Sequence, residues 1–342
     1  MTRVADIGEF GLIARLARRV PAYASDVVEG IGDDVAVVRL GNGRLLLMTC
    51  DIQVAGVHFL PGVITFYQLG RKIAAINLSD IGAVGGQPRH FLVSLGLPPD
   101  TEVEDLEALY DGLREECETL EVDVLGGNIS QLPVLTIDAF LVGEVEEARL
   151  LRRRGAGPGD LVAVTGKLGG SRAGLELALH PELRAGLPPA IVEAALAAHL
   201  TPRPRVREGQ ALAACPGVTA MIDVSDGLAA DIGHICDESQ VGVRLWAETL
   251  PAAESVAPIA RMASADPLAW ALGGGEDYEL CFTVRPASVD AAALAVRAAT
   301  GLAVTVIGEV LPREEGRLLR VPGAGEEALP GAGWDHFRMR KK

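Results

Sequence analysis

Residues 71–88, RKIAAINLSDIGAVGGQP, carry the pattern from which the rest of the chain can be read. Ile73, Ala74, Ala75, Ile76, Leu78, Ile81, Ala83 and Val84 predict a helix with little surface made for water, buried on most sides. Asn77 and Asp80 sit in its middle, three residues apart and so on one face. A carboxylate in such a helix is costly unless it meets a partner or a metal. Hydrogen bonds to a neighbouring loop would satisfy it as well as a functional site would.

Further acids stand beside other apolar runs: Gly32-Asp33-Asp34, Thr49-Cys50-Asp51, Asp223-Val224-Ser225-Asp226-Gly227 and Gly274-Gly275-Glu276-Asp277. Oxygen-rich clusters of this kind suit Mg²⁺, which takes carboxylates and keeps waters and substrate phosphates in its shell. The expectation is a multi-metal phosphate site with Asp80 near its centre.

Composition narrows the partners. A chain of 342 residues favours two domains, and 49% hydrophobic with 23% charged residues can bury real cores. Aromatic residues are only 4%, too few for a base-stacking platform. A net charge of −15 repels nucleic acid and anionic lipid, so phosphate ligands would need bridging cations. No basic-then-apolar leader and no apolar run near ~20 residues is present, so neither a signal peptide nor a membrane span is expected. The five cysteines are scattered and form no CxxC pair, so the default is a cytoplasmic protein without a zinc ribbon or disulfide framework.

Before the central helix, Asp6-Ile7-Gly8-Glu9 is a capping-box pattern, and Ile7, Phe10, Ile13, Leu16, Ala17 and Val20 follow at helical spacing. Residues 35–50 read as a hairpin turning at Gly41-Asn42-Gly43, with Asp34 and Asp51 at strand ends. His58 follows in a loop, where structural and functional roles are both open. After the central helix come a strand at 90–97 and a capping box at 101–104 that opens a helix to about Leu120. A strand at 121–125 then ends in Gly126-Gly127-Asn128-Ile129-Ser130. Two glycines let backbone approach a phosphate closely, and they also make ordinary turns. Residues 133–142 read as one more strand.

The run 152–160, arginine-rich and then Gly/Pro-rich, marks a boundary between domains 1–148 and 149–342. Its arginines are either solvated or offer one guanidinium to a phosphate. Gly166-Lys167-Leu168 is not a P-loop, because Leu168 and Leu161 stand where a Ser or Thr and a Gly are required. Helices are predicted at 171–179, 190–199, 206–215, 228–236 and 286–300, and strands at 161–165, 218–222, 279–284, 303–310 and 317–321. Asp226 could be a plain first-turn carboxylate of its helix. Trp334 and Phe337 lie in a loop-like tail, where docking and ligand contact explain them equally. Both halves mix strands with helices and place acids at strand ends, which predicts two α/β domains facing one another across a charged cleft.

With these residues collected, the chain resembles the thiamine-monophosphate kinases, in the superfamily that also holds aminoimidazole ribonucleotide synthetase and selenophosphate synthetase. The likeness runs nearly end to end. It rests on Gly8-Glu9-Phe10, Gly30-Ile31-Gly32-Asp33-Asp34, Asp51 with Gly56-Val57-His58-Phe59, Asn77-Leu78-Ser79-Asp80, Asp160 to Gly166, Asp223 to Leu228, Gly274 to Leu280, and Trp334-Asp335-His336-Phe337. Each is weak singly; together and in order they are specific.

The resemblance implies two α/β domains, the N-terminal sheet pairing with that of a dimer mate and the C-terminal domain packing beside it across an ATP/Mg cleft. It implies phosphoryl transfer from ATP to thiamine monophosphate, giving thiamine diphosphate and ADP. By the same resemblance, Asp34, Thr49, Cys50, Asp51, Asp80, Asn128, Asp223 and Asp226 would hold several Mg²⁺ ions, with Asp80, Asp223 and Asp226 as the catalytic set. Tyr110, Gly127, Asn128, Arg153 and Ser225 match positions that touch ATP. His58, Glu276 and Trp334 match positions that hold the thiamine phosphate. The family commonly has Gly-Gly-Asp-Thr where this chain has Gly126-Gly127-Asn128-Ile129, and Thr where it has Cys50. These changes weaken one metal contact and leave the remaining carboxylates in place.

The chemistry asks for such a set. Two unit charges about 4 Å apart repel by ~1 kcal/mol in water and ~4 kcal/mol at an effective dielectric near 20. Donor and acceptor here are both phosphates, and clustered Mg²⁺ neutralises them together. The acceptor phosphate is largely ionised near neutral pH, its second pKa being about 6. Direct in-line transfer without a general base is therefore expected, with His58 positioning substrate. A selenophosphate synthetase is disfavoured because the first cysteine, Cys50, lies inside a predicted strand. A non-catalytic phosphate-binding protein, degenerate at Asn128, differs from the kinase in lacking turnover.

Overall fold

The computed structural model describes residues 2–20, 22–330 and 337. Trp334 lies outside the described residues. The first half forms a six-stranded sheet from β1 (Val27–Glu29), β2 (Ala36–Gly41), β3 (Arg44–Val54), β4 (Gln87–Leu97), β5 (Asp123–Gln131) and β6 (Thr136–Glu146). Its order is β1-β2-β3-β6-β4-β5, antiparallel except for the β4–β5 pair. The second half forms a seven-stranded sheet from β7 (Leu161–Thr165), β8 (Val218–Asp223), β9 (Gly242–Trp246), β10 (Leu280–Val284), β11 (Val304–Leu311), β12 (Arg317–Val321) and β13 (Gly325–Ala328). Its order is β13-β12-β9-β11-β7-β10-β8. The mixed α/β class read from the sequence is the observed one.

Ten α-helices are described: α1 (Val4–Ala17), α2 (Phe66–Ala83), α3 (Val103–Glu118), α4 (Gly170–Leu179), α5 (Pro189–Leu200), α6 (Val206–Ala213), α7 (Leu228–Ser239), α8 (Val256–Met262), α9 (Pro267–Gly273) and α10 (Val289–Thr300). Among the described residues, no helix is long and apolar enough to cross a membrane. The helix read from residues 71–88 is α2. It begins earlier, at Phe66, because Thr65 caps it by accepting the Gln68 N–H at 3.2 Å.

α2 is the shared element of the two halves. It packs against α3 and β3 in the first and against α6 and β8 in the second. Glycines make both helix crossings close. A Cβ on Gly70 would lie 1.9 Å from the Leu109 carbonyl oxygen of α3, and one on Gly209 would lie 2.0 Å from the Gly82 carbonyl oxygen. With both flanks covered, Leu69, Ile73, Leu78 and Ile81 are completely buried, each contributing about 1.5–3 kcal/mol of transfer free energy. Ala83 also joins the core beneath β8 and β10 with Met221, Leu280 and Phe282. The charged residues of α2 are thus fixed by packing on both sides of the molecule.

Several local readings are corrected. Asp51 does not end its strand: β3 runs on to Val54 because β6 pairs with it residue for residue from Arg44 to Val54. Gly126, Gly127 and Asn128 form no turn. They lie within β5, where Gly127 passes so near β4 that a Cβ would meet the Val93 carbonyl oxygen. Asp6 is not the cap of α1 but its third residue, accepting the Arg3 N–H at 2.7 Å, and Gly8 at φ +69° breaks the helix inside. Phe10, Ile13, Leu16 and Val20, read at helical spacing, are exposed. The capping box at 101–104 does not form; Glu102 is the N-cap without a side-chain bond, and the Thr101 hydroxyl donates to the Pro98 carbonyl. Strands β1, β9 and β13 and helix α8 carried no readable signal, being short and weakly patterned.

Candidate active site

Where α2, β3, β8 and two loops meet, five carboxylates crowd together. β3 presents Thr49 and Asp51 on one face, α2 presents Ser79 and Asp80, and β8 ends at Asp223. Asp33 and Asp34 arrive on the loop before β2, and Arg153 on the segment that joins the halves. The Thr49 hydroxyl donates to Asp80 Oδ2 at 2.5 Å, and the Ser79 hydroxyl donates to Asp223 Oδ2 at 2.6 Å. Arg153 Nε donates to Asp34 Oδ1 at 3.2 Å, with a second bond from Nη2, while its backbone N–H donates to Asp33 Oδ2 at 3.2 Å. Its neighbours Arg152 and Arg154 instead pair with Glu29 at 3.3 and 2.8 Å. The three arginines are therefore ion-paired, and the middle one alone enters the acid cluster.

One guanidinium does not balance this set. Burial, then the charges of Asp51, Asp223 and Asp34, push the Asp80 carboxyl well above the ordinary carboxylate range. Burial also raises Asp51, against the opposing effect of its hydrogen bond with Asp80. Burial and Asp34 raise Asp223 to about 7, although the Ser79 hydroxyl works the other way, and burial with Asp34 raises Asp33 to about 6. Asp34 is itself buried, and its Oδ2 has no hydrogen-bond partner.

The loop after β8 is held by a residue the sequence reading did not single out. Asp231, in the first turn of α7, accepts the N–H groups of Asp226 and Gly227 at 3.2 and 3.0 Å. Gly227, not Asp226, is the N-cap of α7, which leaves the Asp226 side chain to the cavity. Asp277, from the other acidic loop, is a helix cap: its carboxylate accepts the N–H groups of Gly169 and Ser171 at 2.5 and 3.0 Å. Its neighbour Glu276, at φ +63°, lines the cavity instead.

Glu276 forms a second polar cluster with three residues also missed in the sequence. Lys72 of α2 places Nζ 3.0 Å from Glu276 Oε1. His199 of α5 places Nδ1 3.3 Å from Glu276 Oε2 and 3.1 Å from the Ser171 hydroxyl. Burial alone would raise the Glu276 carboxyl, but Lys72 and then His199 prevail and hold it down to about 2. His199 is lowered, chiefly by burial. Lys72 stood in plain view as the cation inside an apolar helix; Ser171 and His199 had no pattern to mark them.

A cavity of about 730 Å³ links the two clusters. Its walls include Cys50, Asp51, His58, Lys72, Asp80, His199, Ser225, Asp226 and Glu276. Thr49 and Asp223 attach to it through Asp80 and Ser79, and Asp34 and Arg153 complete the acid end. His58 Nδ1 accepts the Val54 N–H at 3.0 Å, so its other ring nitrogen carries the proton. Tyr110 on α3 and Gly127 and Asn128 on β5 do not line this cavity. Nearly all of β5 is exposed at the open edge of its sheet.

Among the described residues, no three His, Cys, Asp or Glu side chains converge as a ready-formed metal cage. The donor set nonetheless fits Mg²⁺. It consists of hard carboxylate and hydroxyl oxygens, it carries more buried negative charge than Arg153 offsets, and one buried oxygen of Asp34 lacks a partner. A soft-metal site would need thiols or imidazoles gathered among the carboxylates, and the thiol at this end of the cavity, Cys50, is raised by burial and by Asp138.

Comparison with known proteins places the chain in a family. Residues 32–145 match the family "AIR synthase related protein, N-terminal domain", and residues 157–320 match "AIR synthase related protein, C-terminal domain". The chain is 38% identical over 332 residues to a thiamine-monophosphate kinase of Salmonella typhimurium, covering 96% of this chain and 98% of that one. It is 38% identical over 339 residues to the Aquifex aeolicus enzyme of the same name, covering 98% and 100%. A solved structure of AaThiL complexed with AMPPCP and TMP superposes with a TM-score of 0.85 at 35% identity, covering 98% of this chain and 99% of that one.

Proposed function

Since the chain belongs to the AIR synthase related family and, within it, to the thiamine-monophosphate kinases, we propose that it transfers the γ-phosphoryl group of ATP directly onto the phosphate of thiamine monophosphate, with several Mg²⁺ ions. The observation that carries this reading is the single cavity with a crowd of buried, underneutralised carboxylates at one end and an ionised Glu276 at the other. The related AaThiL binds an ATP analogue and TMP together, which supports ATP and thiamine monophosphate as the pair of substrates here.

Asp34, Asp51, Asp80, Asp223 and Asp226 would hold the ions, with Thr49, Cys50 and Asn128 adding neutral contacts. Bound there, Mg²⁺ would neutralise the phosphates and steady charge on the transferring group. The chain's own residues do the rest. Thr49 and Ser79 orient Asp80 and Asp223 by donating to one oxygen of each, which fixes the direction of both carboxylates. Arg153 holds Asp34 and, with Ser225, stands ready for donor phosphates. His58 and Glu276 position the acceptor, and no side chain has to remove a proton from an acceptor already ionised. The transfer is in line, without a covalent intermediate on the enzyme.

The open β5 edge supports the homodimer. A nine-residue exposed strand with Leu125 and Ile129 at the surface invites pairing with a second copy. That arrangement would give Tyr110, Gly127 and Asn128 a nucleotide to touch, since they do not line the cavity of their own chain. We take 1–148 and 149–342 as the two domains and the cytoplasm as the place of action, with no nucleic acid among the partners of so acidic a chain.

The test is ADP formation by the purified protein with ATP and Mg²⁺, with and without thiamine monophosphate, and with the thiamine product identified. ADP released only with thiamine monophosphate, matched by thiamine diphosphate, is the expected result. Binding of ATP or thiamine monophosphate without turnover would sink the kinase mechanism.

A further inference from the structure

Lys72 is 1% exposed, on a helix otherwise packed in apolar core. It is one of only four lysines in the chain. A buried ammonium is kept only where it is paired. Its partner is the Glu276 carboxylate, at 3.0 Å, across the junction of the two halves. Glu276 comes on a loop whose backbone is strained at φ +63° and is tied back by its N–H to the Ser225 carbonyl at 2.7 Å. Glu276 keeps 30% of its side chain open to the cavity, while Lys72 keeps 1%. The lysine therefore meets the cavity at most by a sliver of its surface, and the carboxylate is the group open to a ligand.

The third member, His199, excludes another reading. Ser171, His199 and Glu276 have the residue types of a hydrolytic triad. Yet the serine hydroxyl and the carboxylate both approach the same ring nitrogen, Nδ1. A triad needs them on opposite nitrogens. His199 instead closes the far side of Glu276, so each carboxylate oxygen has one fixed neighbour and one lone-pair direction left.

We propose that Lys72 is a positioning residue for acceptor recognition, holding Glu276 ionised in form and fixed in direction so that the carboxylate meets the cationic ring system of the acceptor. The inference rests on the kinase reading and adds to it a residue that acts through Glu276. α2 then serves both ends of the cavity: Ser79 and Asp80 set the acid end, and Lys72, two turns earlier on the same helix, sets the acceptor end.

The test is a cycle of K72M, E276Q and K72M/E276Q, each read by steady-state kinetics for both substrates and by calorimetric titration with thiamine monophosphate alone. Losing one charge-assisted contact weakens acceptor binding by about tenfold or more. The expected result for K72M is therefore a KM and Kd for thiamine monophosphate raised by at least that factor, with KM for ATP and kcat nearly unchanged. K72M added to E276Q should cost little further, because Lys72 acts through Glu276. The double variant leaves no buried charge alone, so it keeps the test open if K72M folds poorly. An unchanged Kd in K72M, a loss carried by kcat or by ATP, or additive effects in the double variant would each overturn the inference. Wild-type protein that binds thiamine monophosphate without turning it over would overturn the kinase reading and leave the Lys72 comparison standing in the titration. Absence of wild-type binding would overturn both.

Discussion

The two ends of the cavity hold the same kind of group in opposite states. At the acid end Asp80 and Asp223 are buried among other carboxylates and bind protons far too readily for an ordinary aspartate. At the acceptor end Glu276 is half-buried and is also penalised by desolvation, yet Lys72 and His199 hold it at about 2. Desolvation acts upward at both ends, so the partner decides the sign. The acceptor end is electrostatically complete within one chain. The acid end is not, and its missing positive charge has to come from outside.

The sharpest way to break this contrast is Asp80→Asn. Removing a ligand on which the transferring charge depends should lower kcat by about a thousandfold, as loss of a preorganised electrostatic contact does. The same change removes one of several crowded buried charges, so the metal-free variant should melt at or above the wild-type temperature. A variant that loses stability while keeping turnover would show that Asp80 is a structural acid after all. Thermal unfolding and initial-rate kinetics on the same preparation separate the outcomes.

Next in size is the response to the ion itself. Chelation should abolish turnover, and Mg²⁺ without nucleotide should raise the melting temperature, because a ligand that binds only the folded state stabilises it by mass action. The shift should disappear in Asp51→Asn/Asp80→Asn and persist in E276Q. An equal shift in all three proteins would place the ion elsewhere.

This asymmetry also explains what could be read in the sequence. Asp34, Asp51, Asp80 and Asp223 were legible because each breaks an apolar run, and an acid next to a core segment calls for a reason. The α/β class was legible from the same runs. The Glu276 end was only half legible. Its His199 comes from α5, far along the chain, and nothing in a helix of alanines and leucines marks one histidine as facing a cavity. Lys72 was passed over because its neighbour Asp80 drew the question of a partner, although a buried ammonium raises the same question. Asp51 and Gly126–Asn128 were misplaced at strand ends for a different cause. Strand length is set by the partner strand, β6 for one and β4 for the other, and pairing register is not written in either segment alone.

A smaller effect is the pH dependence of stability, which should run in opposite directions at the two ends. Asp223 at about 7 and Asp33 at about 6 lie above their value of 3.8 in a free chain. Between those limits the folded state holds protons that the unfolded state has released. Their contribution is therefore complete below 3.8 and lost as pH rises through about 6 and about 7. Glu276 is the reverse: against an ordinary 4.5, its value of about 2 gives stability present above 4.5 and lost as pH falls toward 2. Metal-free protein should thus melt a few degrees lower at pH 8 than at pH 5.5, with Mg²⁺ erasing the difference. E276Q should lose less on acidification than the wild type. A metal-free melting temperature that rises from pH 5.5 to pH 8 would mean the carboxylates are already paired.

The smallest expected effect concerns a residue outside both clusters. Asn128 lies in register with Ser94 on the exposed β5 edge and does not line the cavity of its own chain. Within a monomer, Asn128→Asp would add one more surface charge and change Mg²⁺ dependence hardly at all. Across a dimer that brings β5 to a second cavity, it would add a carboxylate to the side of the site that lacks positive charge. The magnesium requirement should then fall by about two- to fivefold, the size of a partly exposed charge contact. That gain should fade on dilution as the dimer separates, since the new carboxylate and the ion it meets belong to different chains. Mg²⁺ titrations of N128D and wild type over a protein dilution series, with the oligomeric state followed in parallel, give the answer. A gain that persists in the monomer would place Asn128 in its own chain's site and remove the reason to pair β5 with a second copy.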